Sequence, residues 1–446
     1  MPPTIDYVKA DKAPLYPEPA KSKPSLHLLW GDRVTVLGKE GSRVKVRARG
    51  REGWISDSAL GGDPLLELYF IDVGQGDGIL IRTPNGRHLM IDGGFPRHRQ
   101  NTGKNAADFV DWKFAKDYGD KEIVLDALIA SHNDADHYGG LTDLLEVDKT
   151  EELDCEGVRV KAIYHAGLGW WKGAALGAHK KVDGVDLFTQ LVGDRGEIEA
   201  SFAGGPEPSG EWGEFLRAAL GARRTNNRAT PIRRLSSADG YMPGFKPGAD
   251  GEPAIKVLAP VHFEADGKPA IRRFKGGESK NTNGNSLLLK LEFGACRILL
   301  TGDLNLASQE SLLADYAGER DEFLCDVGKA CHHGSQDVSF AFLKAMSPAV
   351  TVFSSGDNEG HDHPRPTIVA ASAISGYLEM DGDALVSPLI YSTEIARSVK
   401  IDRATRRVTN LIYGLVNVRT DGRRILCATR DEESLDWQIA ETHSRF

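Results

Sequence analysis

The sequence predicts an α/β core preceded by a small all-β unit, and three observations lead there. Before residue 61, apolar and charged residues alternate in short runs separated by glycine turns, which is the period of half-buried strands. Beyond residue 62, apolar runs of strand length repeatedly end in His, Asp, Asn or Gly, the position where α/β proteins place their chemistry. The length of 446 residues, at about 100–200 residues per domain, suits two or three units or one large domain with an appendage.

Residues 1–24 are rich in Pro and Lys, lack apolar periodicity and read as an irregular lead-in. Asp32–Gly38, Arg43–Arg47 and Gly53–Ser56 then read as strands of a small antiparallel barrel. The order GDRVTVLG followed by RVKVRARGREGWISDSAL resembles a bacterial SH3-type domain over residues 7–60, which implies a module that engages a protein or peptide partner, the alternative being a β-subdomain packed on its neighbour. Gly61-Gly-Asp-Pro marks the boundary, giving a first unit over 1–61 and a second over 62–446.

In the second unit, strands are expected at Leu66–Asp72, Gly78–Thr83 and His88–Ile91, the last two joined by a Pro84-Asn-Gly hairpin turn. Leu125–Ser131 is a buried strand that runs into a His/Asp-rich loop. Ser286–Phe293 and Cys296–Thr301 form a hairpin that ends at Gly302-Asp303, Phe323–Ala330 leads into His332-His333, and Ala349–Ser355 is a later strand. Residues 167–280 read as a long insert with a helix at Glu211–Leu220. From 217 to 234 the insert contains six Arg and neither Asp nor Glu. Arg223, Arg224, Arg228, Arg233 and Arg234 are candidate phosphate contacts, with a second cluster at Arg272, Arg273, Lys275 and Lys280. Trp170, Trp171 and Trp212 are candidates for stacking on bases; the alternative is that the Arg residues form a solvated face or internal ion pairs and the Trp residues fill a core.

The strongest chemical signal is Ser131-His132-Asn133-Asp134-Ala135-Asp136-His137-Tyr138-Gly139-Gly140. Two imidazoles and two carboxylates within six residues, directly after an apolar strand, converge from one loop on a single point, an arrangement suited to a pair of divalent cations.

This HxDxDH run resembles the HxHxDH signature of the metallo-β-lactamase superfamily, with Asp134 in place of the second His, a variant found in the hydrolase domain of ComEC-type competence proteins. Phe70-Ile-Asp-Val-Gly-Gln-Gly-Asp77, Met90-Ile-Asp-Gly-Gly94, Asn285-Ser286, Leu299-Leu-Thr-Gly-Asp303, His332-His-Gly-Ser335 and Gly360-His-Asp-His-Pro364 match that group in order, over residues 66–165 and 281–430. The resemblance implies an αββα sandwich. It implies that His132 and Asp134 bind one metal, that Asp136 and His137 bind the second, and that Asp303 bridges them. One of His332 and His333 completes the second site, and His165 is a further candidate ligand. Asp92 is implied to orient a ligand imidazole, Ser335 to support the site and Asn285 to contact substrate. His361 and His363 are implied to protonate a leaving oxygen or hold a phosphate, and Asp136 and His333 to take part directly in catalysis. The metals expected are Mn2+ or Zn2+, with Mg2+ a third candidate, because Asp134 adds an oxygen donor.

The expected function is therefore metal-dependent hydrolysis of a nucleic acid phosphodiester. A small phosphodiester such as a cyclic nucleotide, an ester or a lactam is the alternative substrate, and a non-catalytic interaction scaffold is the reading of a different class. The formal charge of -9 does not oppose a phosphate substrate, since local charge on one face decides binding. No apolar run approaches the roughly 20 residues of a membrane helix. The first residues lack the pattern of a secretory signal, and the five scattered Cys carry no disulfide framework. The expected home is the cytoplasm, without a membrane partner.

Overall fold

The computed structural model describes residues 4–100, 102–356, 362–393, 398–401, 408–412, 414–430 and 436–446. At the N-terminus, strands Thr4–Tyr7, Arg33–Glu40, Arg43–Ala48 and Arg51–Ser56 pair in that order as an antiparallel sheet, and Lys12–Leu15 pairs with Leu26–Leu29. Val8, Leu15, Leu28, Val34, Val46 and Ile55 fill the interior of this all-β unit. The expected irregular lead-in is thus wrong, because residues 4–15 supply two of the strands. Each is four residues long, Thr4–Tyr7 with no fully buried side chain and Lys12–Leu15 with only Ala13 and Leu15, too few for a period to show, and Pro14 sits in a two-stranded pairing that leaves it at an edge.

Two larger sheets form the rest of the core. In the first, Ile232–Arg234, Ile163–His165, Ala127–Ala130 and His88–Ile91 run parallel; Ile79–Arg82, Leu66–Ile71, Leu415–Thr420, Arg424–Arg430 and Trp437–His443 continue it antiparallel. The second contains Ala254–Ala259, Leu288–Phe293, Cys296–Leu300, Val327–Lys329, Val350–Phe353 and Leu389–Ser392. Their facing sides share one apolar core, with Leu68, Phe70, Ile81 and Ile129 against Leu289, Ile298, Val327 and Val352. Strands buried on both faces read as continuous apolar runs, which is why these were legible. Helices Ala106–Trp112, Ala135–Leu145 and Gly210–Gly221 cover the outer face of the first sheet, and Leu306–Asp315 and Phe340–Met346 cover the second. The result is a four-layered α/β/β/α arrangement.

Residues 167–280 are not one continuous insert. Ile232–Arg234 extends the first sheet, Ala254–Ala259 is an edge of the second, and helix Gly210–Gly221 packs Trp212 and Phe215 against Tyr138. What stands apart is a four-stranded sheet of His179–Val182, Val185–Phe188, Lys268–Arg272 and Phe263–Ala265. A three-residue edge strand needs only Ile232 buried, so flanking arginines masked it in the sequence. Leu29 and Trp30 of the all-β unit, with Leu65 of the connecting segment, pack against Leu426, Ala428 and Trp437 of the first sheet. None of the described helices is long and apolar enough to cross a membrane.

Candidate metal centre

Strand Ala127–Ala130 ends at the rim between the two large sheets, and the chain turns through Ser131–Asn133 into helix Ala135–Leu145. This places Asp136 and His137 in the first helical turn and His132 in the turn before it. The glycines that follow explain their own presence. A Cβ on Gly140 would lie 2.0 Å from the Gly93 carbonyl oxygen and one on Gly139 2.2 Å from Pro96 Cδ. Only bare backbone admits this approach, which lets Gly93 N–H donate to the His137 carbonyl at 2.7 Å and Gly140 N–H to the Gly94 carbonyl at 2.8 Å. The clamp sets Asp92 beside the helix start: one carboxylate oxygen accepts from Ser131 N–H at 2.7 Å, and the other lies 2.8 Å from His137 Nδ1.

Asp303 enters from the second sheet, after strand Cys296–Leu300, and its Oδ2 lies 3.3 Å from His137 Nε2 and 2.9 Å from His333 Nε2. His333 arrives after strand Val327–Lys329 on backbone with φ 54°, its Nδ1 2.9 Å from the Ser354 carbonyl. Asp136 closes the group, 4.0 Å from His137 Nε2 and 3.8 Å from His333 Nε2. The donor atoms of His132, His137 and Asp303, and those of Asp136, His137 and His333, each lie within 4.8 Å of one another.

The residues present fit divalent cations. The Nε2 atoms of His132, His137 and His333 are buried and form no well-aligned hydrogen bond, those of His137 and His333 sharing only Asp303 Oδ2, and at His137 and His333 the opposite ring nitrogen is held by Asp92 and by the Ser354 carbonyl, the arrangement that aims Nε2 at a metal. Burial alone would push these imidazoles down; the carboxylates of Asp303, Asp92 and Asp136 hold His137 well above its ordinary value, and Asp303 and Asp77 raise His333 to about 9. Burial would raise Asp303, yet His333, His137 and Lys329 keep it well below the carboxylate range. The centre therefore attracts positive charge, which here a cation would supply.

Other expected residues lie nearby or elsewhere. Asp134 Oδ2 is 3.7 Å from His132 Nε2 and accepts a hydrogen bond from Thr282 Oγ1 at 2.9 Å. His332 Nε2 faces Asn283 Nδ2 at 3.1 Å and stands 3.9 Å from Asp303 Oδ2, so of the two adjacent histidines His333 is the one within the ligand groups. His165 is buried at the neighbouring strand end but outside those groups; its Nε2 lies 3.0 Å from the Gly193 carbonyl, and burial lowers it to about 4. Ser335 stabilises its own turn by accepting from Asp337 N–H. The His363 ring stacks 6.4 Å from that of His333, and His361 lies outside the described residues.

Several expectations for substrate contacts are corrected. Asn285 is buried, and its amide donates to the Arg272 and Asn281 carbonyls, so it holds loops together. Trp171 and Trp212 are core residues at 5% and 1% exposure, and Trp170 donates Nε1–H to the Asn133 carbonyl. Arg223 binds carbonyls at the end of helix Gly210–Gly221, Arg272 pairs with Asp315, and Arg228 and Arg233 are exposed while Arg224 is half-buried. Arg234 differs: its strand places it beside His165, it packs over Gly167, and its buried guanidinium nitrogen has no partner.

The sequence reading missed Asp77 and Lys329. Lys329 Nζ lies 2.6 Å from Asp77 Oδ2, 3.5 Å from Asp303 Oδ1, and donates to the Gly302 carbonyl at 2.8 Å. Gly76, beside Asp77, has φ +116° and a Cβ there would meet the Asp136 carbonyl at 1.9 Å.

Residues 71–211 match the sequence model of the metallo-β-lactamase superfamily. The chain carries a metallo-β-lactamase superfamily domain. Among curated relatives, it is 37% identical over 94 residues to Competence protein ComA of Neisseria gonorrhoeae, covering 20% of this chain and 13% of that one. It is 24% identical over 312 residues to ComE operon protein 3 of Bacillus subtilis, covering 68% of this chain and 30% of that one. The chain thus spans less than a third of either relative. Solved structures with similarity include a metal-dependent hydrolase of the β-lactamase superfamily, at 13% identity and TM-score 0.32 over 74% of this chain and 96% of that one. Another is the Rm3 metallo-β-lactamase, at 14% identity and TM-score 0.26 over 68% and 90%.

Proposed function

We propose that this protein is a metal-dependent phosphodiesterase that cleaves nucleic acid. The observation that carries the reading is the convergence of three buried imidazole Nε2 atoms, none in a well-aligned hydrogen bond, on a charge-rich centre containing Asp136 and Asp303. His132, Asp134, Asp136, His137, Asp303 and His333 would hold two divalent cations, Mn2+ or Zn2+ with Mg2+ a third candidate, which when bound acidify water and stabilise charge on a phosphoryl oxygen. Asp92 and the Ser354 carbonyl fix which nitrogens of His137 and His333 face the reaction. Lys329 anchors Asp303 from below. Arg234, an unpaired guanidinium at the end of a strand adjoining His165, suits a backbone phosphate. The name of one curated relative, a competence protein, is in keeping with a nucleic acid substrate. We carry the module of residues 1–61 as a partner-binding unit.

The test is hydrolysis of end-labelled single- and double-stranded DNA and RNA with Mn2+ or Zn2+, beside Asp303→Asn and a panel of cyclic dinucleotides. The expected result is strand cleavage that Asp303→Asn abolishes. Cleavage of cyclic dinucleotides with intact polymers would move the substrate to small phosphodiesters, and no metal-dependent hydrolysis of either would overturn the reading.

A further inference from the structure

A cleft of about 960 Å³ opens between the N-terminal all-β unit, helix Ala106–Trp112 and the first sheet. None of the candidate metal ligands lines it. Its size lies within the roughly 300–1,000 Å³ of small-molecule sites. The walls combine cations with aromatic faces. Lys23, Arg49, Arg51 and Arg430 line it together with Phe109 and Trp112.

The charges of this cleft are unequally compensated. Both acids of the wall are engaged: Asp108 with Arg97 at 2.6 Å and Lys104 at 3.4 Å, Asp436 with Lys12 at 2.8 Å and His27 at 2.7 Å. Arg49 is pinned by Asp32 at 2.7 Å. Arg51, Arg430 and Lys23 pair with no carboxylate among the described residues. Arg430 is the most telling of these, since its Nε is buried without a hydrogen-bond partner, and burial together with the like charges of Arg49 and Arg51 lowers its pKa against the opposing pull of Asp436. Keeping two further guanidinium groups, Arg51 and Arg430, beside the compensated Arg49 is unfavourable unless an anion joins them, and guanidinium geometry favours phosphate.

The aromatic side has an equally specific shape. Trp437 is already covered by Arg49, 4.6 Å from its ring centre, whereas Trp112 is 38% exposed and is backed by Phe109 at a centroid distance of 6.1 Å. An exposed indole beside unpaired cations offers a stacking face for a planar base.

We infer that this cleft binds a nucleoside phosphate, its phosphate on Arg51 and Arg430 and its base against Trp112, either as a free nucleotide or as a nucleotide of a single strand. The site is separate from the metal centre and does not depend on the reading of that centre as a nuclease.

The experiment is calorimetric titration of the full chain in EDTA with AMP, adenosine, inorganic phosphate and a ten-residue oligothymidylate. AMP or the oligonucleotide is expected to saturate one site, with adenosine and phosphate each binding at least tenfold more weakly; the tighter of the two main probes identifies the source. Arg51→Ala and Trp112→Ala change exposed side chains, so their folding is checked by thermal melting, and each is expected to weaken binding about tenfold. Asp303→Asn is expected to leave it unchanged. The proposal is overturned by absence of saturable binding at millimolar ligand, by phosphate binding as well as AMP, by indifference to Arg51→Ala and Trp112→Ala, or by loss of binding in Asp303→Asn.

Discussion

Lys329 Nζ lies 2.6 Å from Asp77 Oδ2, both side chains inaccessible to solvent, and the same ammonium reaches Asp303. Burial disfavours the charge on Asp77, yet Lys329 and His333 hold its carboxyl down at about 2. Removing one partner leaves the other charge uncompensated. We predict that Lys329→Met destabilises the fold by about 3–5 kcal/mol. The double variant with Asp77→Asn should recover much of that loss, as urea denaturation will read. Equal destabilisation by the single and double variants would show that the pair does not act as a unit.

The glycine clamp makes a second prediction. Gly140→Ala would drive a methyl group into the Gly93 carbonyl and push the start of helix Ala135–Leu145 away from Asp92. Because displacement of about 1 Å can cost about 100-fold in rate, we expect a loss of that order in metal-dependent hydrolysis with an unchanged far-ultraviolet circular dichroism spectrum. Gly221→Ala, where the Cβ meets nothing within 4 Å, serves as the neutral comparison.

These two sites also mark what the sequence made legible. His132, Asp136, His137 and Asp303 were readable because ligand residues crowd the ends of apolar strands, and the flanking glycines were visible with them. Lys329 was hidden for the opposite reason: it lies within the apolar run Phe323–Ala330, and nothing local tells a lysine at a strand end from one buried against a carboxylate 252 positions away in the chain, a distance that only the pairing of Lys329 with Asp77 reveals. The arginine cluster over 217–234 looked uniform, but folding separates it into helix-end, exposed and half-buried members, with Arg234 paired beside His165 at a strand end. For Trp171 and Trp212 the sequence left base stacking and core filling open, because a buried indole and a stacking one are the same residue type; the fold puts both in the core. The two large sheets were legible from their apolar strands, while short strands such as Thr4–Tyr7 and Ile232–Arg234 acquire identity only from their neighbours.

Cation binding should be visible as stability. A ligand that binds only the folded chain at 1,000 times its Kd adds about 4 kcal/mol. Adding Mn2+ or Zn2+ to EDTA-treated protein is expected to raise the Tm by several degrees, and Asp303→Asn or His137→Ala should remove most of that increase. An undiminished increase in both variants would place the cations elsewhere.

Acid should loosen the junction between the all-β unit and the first sheet. Arg419, fully buried in the first sheet, donates to Asp32 Oδ1 at 2.7 Å and stands 3.4 Å from Glu67 Oε2, while its other nitrogen donates to the Trp30 carbonyl. Burial would raise both carboxyls, but Arg419, with Arg49 at Asp32 and Arg82 at Glu67, holds them below their ordinary values. A carboxyl whose folded pKa lies below its unfolded one contributes stability above the unfolded value and loses it as pH falls through the folded value. With unfolded values of about 3.9 and 4.3, the contribution is complete near neutrality and declines from about pH 5 downward. The urea midpoint of the wild type is therefore expected to fall steeply over that range. Arg419→Met should cost about 3–5 kcal/mol at pH 7 and flatten the acid limb, because both carboxyls lose the cation that lowers them. A variant that keeps the wild-type slope below pH 5 would assign the acid sensitivity to other groups.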